Sequence, residues 1–232
     1  MLLHNIRLRV RRAGRAGRKA ATRRARTVGD PTVTAYSGYV TIAGTATGQW
    51  FISGDGLRWW FDSGSLALDF AYTGDLGDNE EVLLSPKHLT AWLDGRFEGM
   101  RAEQRDLVDA LALRSAIANV ARAVGSAASP TGTDIDVINL YAATPDIPPS
   151  LAGGTRQAGR STARASQALS VIARQAVALF SDSTAERFRA CAAEDCELVF
   201  YDESRSNNRR WCSMQRCGNR AKVRAHRLRS SS

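Results

Sequence analysis

The chain has 232 residues, of which 44% are hydrophobic and 24% charged, with a formal net charge of +9. That leaves room for one medium domain with its own core plus a small appended module, and it excludes collagen-like, mucin-like and wholly disordered classes. No apolar run approaches the roughly 20 residues of a membrane-spanning helix, and the N-terminus lacks the compact apolar core of a secretory signal. A reducing, cytoplasmic setting without membrane contact is therefore expected.

The positive charge is unevenly placed. Residues 1–29 hold ten Lys/Arg and no acid, residues 30–186 hold 11 basic and 18 acidic groups, and residues 187–232 hold 11 and 5. The net charge is thus dominated by an N-terminal arm, and only the C-terminal stretch is both basic and expected to fold. Within it, 204–232 carries nine Lys/Arg and no acid, a concentrated positive surface of the kind that meets phosphate.

Residues 1–30, rich in Arg, Ala and Gly, cannot bury enough surface to offset chain entropy and read as a disordered basic arm. A DNA-contacting arm or a targeting peptide competes there with an upstream extension that has no fixed structure. From Pro31 the pattern turns β-rich. Thr34–Ile42, Gln49–Ile52, Leu57–Phe61 and Ser65–Tyr72 read as strands of an antiparallel sheet, with Gly54-Asp55-Gly56 as a turn. In the last of these, Leu66, Leu68 and Phe70 alternate with Ala67, Asp69 and Ala71, which leaves Asp69 either solvated or facing a pocket.

Helical signals follow. Ser85 and Pro86 open a short helix that closes at Gly95, with Leu89, Trp92 and Leu93 on one face. Over 101–124, Ala110, Leu113, Ile117, Val120 and Val124 recur at helical spacing, widened by Leu107 and Leu111. Arg114 falls beside that face, where a salt bridge at the rim is favoured over a ligand clamp. Asp134–Ala143 reads as a third helix with Ile135, Ile138 and Leu140 available to the core, stopped by Pro145, Pro148 and Pro149. After a Gly-rich loop at 152–159, residues 162–180 place Ala165, Leu169, Ile172, Ala176 and Leu179 on one side of a long helix. The domain plan is an arm at 1–30, an α+β domain over 31–183 with an antiparallel sheet and a helical subdomain, and a C-terminal module over 187–229.

All four cysteines lie in that module: Cys191 and Cys196, then Cys212 and Cys217. Two matched pairs at a hairpin's separation are the ligand pattern of a closed tetrahedral thiolate site, one structural Zn2+ with no open position for catalysis. Disulfides are disfavoured by the reducing setting. Between the pairs run a strand-like ELVFYD and a polar SRSNNRR turn, and after Cys217 the run GNRAKVRAHRLR reads as a helix, a treble-clef-like plan. His226 lies too far along that helix to share the ion. Arg220, Arg224 and Arg227 recur at i, i+4 and i+7, with Lys222 and Arg229 on another face. Such a stripe suits phosphate oxygens and guanine edges in a major groove. Arg220, nearest the ligands, is expected to be partly structural, and Asn219 to bond at the helix start.

The run Cys191-x4-Cys196, Phe200-Tyr201-Asp202-x-Ser204-Arg205, Arg209-Arg210-Trp211-Cys212-Ser213-Met214-x-x-Cys217-Gly218-Asn219-Arg220-x-Lys222 resembles the CGNR zinc-finger family. The upstream GSLALDFAYT run and the SPKHLTAWL helix resemble the ABATE domain that precedes this finger in bacterial stress-induced transcription regulators. The resemblance implies a DNA-binding finger joined to an α+β domain that senses a small molecule or stress signal. It also places a departure at Tyr72, where the family usually has Asn; Asp69, Tyr72 and Arg114 are the residues a ligand pocket would draw on.

These readings converge on a zinc-dependent regulator that binds duplex DNA through Arg205, Arg209, Arg210, Arg220, Lys222, Arg224 and Arg227. A homodimer would suit a two-fold site. Two rivals stay open: an RNA-binding finger in which Trp211 and Tyr201 stack on unpaired bases, and a zinc module that serves protein–protein contact. No enzyme is expected, since the chain has no paired-carboxylate, Ser/His/Asp or phosphate-loop motif.

Overall fold

The structure, a computed structural model, describes residues 47–52, 56, 58–77, 80–97, 99–148, 163–181 and 186–230. The basic arm, the expected strand Thr34–Ile42, most of the 54–56 turn and the 152–159 loop lie outside them. The described part mixes helices with two small antiparallel sheets, in the order β1 (Gln49–Ile52), β2 (Arg58–Phe61), α1 (Leu66–Ala71), α2 (Pro86–Asp94), α3 (Gln104–Gly125), α4 (Gly132–Ala142), α5 (Ala165–Leu179), β3 (Phe188–Ala190), β4 (Val199–Tyr201) and α6 (Asn219–Ser230).

The first sheet is a hairpin in which Gln49 pairs with Phe61 and Ile52 with Arg58. Strand alternation turns Phe51, Trp59 and Phe61 inward and leaves Trp50, Ile52, Arg58 and Trp60 in solvent. The inward rings meet Tyr72: Phe61 and Tyr72 stand 5.1 Å apart edge to face, and Phe51 and Tyr72 5.6 Å.

Residues Ser65–Tyr72 do not extend this sheet. Leu66–Ala71 forms α1, with Ser65 extended at its N-cap. The strand expectation failed for a physical reason: all six residues of α1 are buried, so the helix shows no polar face to betray a 3.6-residue period. Alanine on one side and bulky residues on the other then imitate strand alternation. Asp69 is not on a separate face; it is fully buried, taking the Gly48 N–H at 2.6 Å and the Ser63 hydroxyl at 2.6 Å. Those bonds tie the hairpin's first residues and the turn before α1 to the helix.

Helices α1, α3 and α5 pack together, with α2 against α3 and α4 against both α3 and α5. On α3, Leu107, Ala110, Leu113, Ile117, Val120 and Ala121 are buried, and Asp106 takes the Glu103 N–H at 2.8 Å to close its first turn. Helix α4 starts two residues earlier than expected because Thr131 caps it, accepting the Asp134 N–H. Of its three anticipated core residues only Ile138 is buried; Ile135 and Leu140 are exposed. Among the described residues no helix is long and apolar enough to cross a membrane.

Arg114 is more than a rim residue. Its guanidinium is buried and forks onto Glu81 at 2.7 and 2.6 Å and Asp75 at 3.1 and 3.2 Å, with Thr73 beside it. Two carboxylates for one cation satisfy the buried charge, and they fasten the chain leaving α1 onto α3. Gly74 is required there, since a Cβ would lie 2.7 Å from the guanidinium.

Burial raises the Asp69 carboxyl to about 6, against the lowering effect of its bonds from Ser63 and Gly48. An unfolded aspartate titrates near 4, so between about pH 4 and 6 the folded chain keeps a proton that the unfolded chain has lost, and stability falls as pH rises through that window. Urea unfolding of wild type and Asp69→Asn at pH 4 and pH 7 checks this: the wild type should lose up to about 3 kcal/mol relative to the variant over that range. A pH-independent difference contradicts it.

Candidate metal centre

The finger begins on the second hairpin, where Phe188 pairs with Tyr201 and Ala190 with Val199. Cys191 opens the turn between the strands, its N–H on the Leu198 carbonyl at 2.8 Å, and the Cys196 N–H closes onto Ala193 at 3.1 Å. Asp202, fully buried just past β4, accepts the Ser204 N–H at 2.9 Å and the Arg209 N–H at 2.8 Å. It thereby folds the polar SRSNNRR turn back toward the third cysteine. A π-helical turn at Met214–Gly218 carries Cys217 and runs directly into α6. Gly218 sits in close approach: a Cβ there would lie 2.9 Å from the Met214 sulfur and 3.3 Å from the Trp211 ring, so the Met214 side chain would have to shift.

The two knuckles bring the four sulfur atoms within 4.8 Å of one another. Cys196 and Cys212 stand 3.7 Å apart and Cys212 and Cys217 3.4 Å. A disulfide needs about 2.05 Å, whereas a regular tetrahedron of metal–sulfur bonds near 2.3 Å has sulfur–sulfur edges of about 3.8 Å. The donor set fits a soft divalent ion held by Cys191, Cys196, Cys212 and Cys217. Acid–base chemistry agrees. The contact with Cys191 pushes the Cys196 thiol up to about 12, and contacts with Cys191 and Cys196 push Cys212 up as well, while the same contacts lower Cys191. A cation at the centre of such a donor set favours the ionised thiols that would hold it.

The basic residues divide into inward and outward groups. Arg209 turns inward, donating to the carbonyls of Asp62 at 2.8 Å, Trp211 at 3.0 Å and Cys212 at 2.5 Å, with its guanidinium over the Phe200 ring. Arg220 donates to the Cys217 sulfur at 3.1 Å and pairs with Asp195 at 2.8 Å, so it completes the thiolate shell. Arg224 pairs with Glu194 at 2.8 Å on the surface. Arg205, Arg210, Lys222 and Arg227 are exposed, Arg210 lying over Trp211. Asn219 is the first residue of α6, its amide donating to the Gln215 carbonyl of the preceding turn at 3.2 Å. Tyr201 and Trp211 are half-buried. The acidic partners Glu194 and Asp195, in the first knuckle, carried no motif signal.

The finger is built onto the upstream helices. The Tyr72 hydroxyl donates to the Val199 carbonyl and accepts the Val199 N–H, both at 2.8 Å, and burial holds it protonated. The Tyr201 N–H meets the Ser63 carbonyl at 2.8 Å, and the Arg216 guanidinium lies over Trp59. A Cβ on Gly64 would strike the Tyr201 carbonyl, and one on Gly125 would come 2.9 Å from Val199. One apolar core runs from Phe51 to Cys217. Asp69 and Tyr72 thus belong to α1 and its exit, with Arg114 gripping the segment just beyond. The two oxygens of Asp69, the Tyr72 hydroxyl and the Arg114 guanidinium are all bonded within the protein.

This arrangement defines a thiolate finger fused to a helical domain. The family model described as "Putative stress-induced transcription regulator" (ABATE) matches residues 64–183, and that of the CGNR zinc finger matches residues 187–230. The chain belongs to the ABATE family, with the CGNR finger following. No curated protein matches it.

Tyr72→Phe leaves the buried N–H and C=O of Val199 without a partner. It is expected to lower the unfolding free energy in urea by about 2–4 kcal/mol while leaving the metal-to-protein ratio unchanged. A cost near zero would mean that the bracket is dispensable.

Proposed function

We propose that the protein is a non-catalytic, zinc-dependent regulator that binds duplex DNA through α6. The observation that carries this reading is the helix itself. Its twelve residues, NRAKVRAHRLRS, include none that is buried, and it is anchored by the turn before it, where Cys217 and Gly218 are buried. Apart from the pairing of Arg220 with Asp195 and Arg224 with Glu194 at its root, the helix presents its basic side chains at the surface, where an external partner can reach them. The stretch 204–232 that contains it has nine Lys/Arg and no acid, which makes a polyanion the fitting partner.

In this reading the metal contributes position and no chemistry. Four thiolates close the coordination shell, and zinc is the ion that best suits four sulfur donors at tetrahedral spacing. With the ion bound, Cys217 holds the root of α6 while Arg220 neutralises part of the excess thiolate charge. Lys222, Arg224, Arg227 and Arg229 then lie along the exposed length of the helix, with Arg205 and Arg210 on the adjacent turn. Arg209 is spent inside the finger and is not a contact. The helical domain upstream supplies the rigid base through the Tyr72 bracket, and it is the part to which an effector's influence would have to be transmitted.

Affinity for a randomised duplex pool should fall linearly in log–log form with salt, from roughly nanomolar to micromolar values. Removing Lys222 and Arg229 together in the full chain should reduce the slope by about two and weaken binding to all sequences alike. Comparing variants in one background cancels any contribution of residues 1–29. Binding that is insensitive to salt, or a slope that the double variant leaves unchanged, would refute the assignment of α6.

A further inference from the structure

The outward face of the β1–β2 hairpin is not explained by folding or by α6. Trp50 and Trp60 are 55% and 44% exposed, although one face of a small antiparallel sheet normally meets water with polar side chains. They pack edge to face at 5.5 Å, with Arg58 over Trp50 at 4.3 Å. Trp60 is also rigidly mounted. Its indole edge lies against Gly48, whose φ of +97° and lack of Cβ make room for it; a Cβ there would fall 2.5 Å from the ring.

Trp60 forms one wall of an open groove of about 660 Å³. The other wall is the finger segment leading through the third cysteine, with Asn208, Arg210, Trp211, Ser213 and Gln215. The Arg209 guanidinium bonds both the Asp62 carbonyl of the hairpin and the Cys212 carbonyl of the finger, so the two walls are fastened to each other. Two indoles supply π faces, Arg210 supplies a cation, and two amides and the hydroxyls of Ser204 and Ser213 supply donors and acceptors; Asp62, which also lines the groove, has its carboxylate taken by the Thr47 hydroxyl and the Gly64 N–H. This is the chemistry of a nucleobase site: stacking on aromatic rings, with hydrogen bonds to the base edge and positive charge for the neighbouring phosphates. Charge complementarity selects the occupant, because the segment forming that wall opens the acid-free stretch that continues into α6.

We infer that this groove takes an unpaired nucleobase of DNA, drawn from a locally opened site next to the duplex that α6 contacts. The inference rests on the DNA-binding reading above and adds a second element, the hairpin of the upstream domain, to the recognition surface. Trp60 stacks on the extruded base, and Asn208 and Gln215 address its edge.

The test uses the full-length, zinc-loaded protein and three labelled 20-base-pair duplexes of equal charge: fully paired, with a central three-base mismatch bubble, and with the same bubble made of abasic residues on both strands. The bubble should bind about 5- to 100-fold more tightly than the paired duplex, and the abasic bubble should lose that gain. Trp60→Leu should bring the bubble-to-paired ratio close to one, and Trp60→Phe should retain most of it; matching thermal melts of the two variants exclude a folding defect. Equal affinity for all three duplexes, a preference kept by the abasic bubble, or a ratio unaffected by Trp60→Leu would each overturn the inference while leaving duplex binding by α6 standing. Tighter binding to an RNA stem carrying the same mismatched loop would overturn the assignment to DNA. Failure to bind any of the duplexes would remove both readings.

Discussion

Four sulfur atoms within 4.8 Å of one another cannot all carry charge without a cation among them, and the finger from Phe188 onward depends on that constraint. Its strands are three residues each, too short to hold a hairpin by backbone pairing alone. A metal held by the four cysteines would add to the apolar contacts of Phe188, Val199 and Phe200, as in other small metal-stapled modules. The fold around it prepares the donors. The Leu198 carbonyl and the Arg210 carbonyl fix the first knuckle, Asp202 folds the intervening loop, and Arg220 lies on the Cys217 sulfur.

The finger does not rely on the metal alone. Its second hairpin rests on α3 and on the end of α1, where one tyrosine hydroxyl brackets both polar groups of Val199. Arg209 and Arg216 reach back to the first hairpin. The helical domain and the finger are thus joined by packed side chains and directed bonds. Arg114, Asp75 and Glu81 stiffen the segment that follows Tyr72, which places an ion network, with its arginine buried and its carboxylates nearer the surface, within a few residues of the bracket.

The sequence made the metal centre and the basic helix legible because both are local patterns. Two spaced cysteine pairs and a periodic arginine stripe need no knowledge of distant contacts. The long helices were equally plain from their apolar spacing. Helix α1 was not, since a six-residue segment buried on every side has no periodicity to read. Tyr72 was invisible as a bracket because its partner lies 127 residues away. Arg209 and Arg210 look alike in the chain, yet one is bonded inside the finger and the other faces solvent; the buried Asp202 and the Asp62 carbonyl decide between them. Trp60 drew no notice as a surface residue because only the register of β1 with β2 turns it outward.

Under the proposed function, one metal ion sets the position of α6, and α6 in that position binds DNA. Titrating metal-free protein with Zn2+ while recording duplex affinity and bound zinc on the same samples tests it most directly. Salt-sensitive binding should appear in proportion to occupancy, saturate at one ion per chain, and be absent from Cys212→Ser at every zinc concentration. Full duplex affinity in the metal-free protein, or an affinity that ignores occupancy, would contradict it.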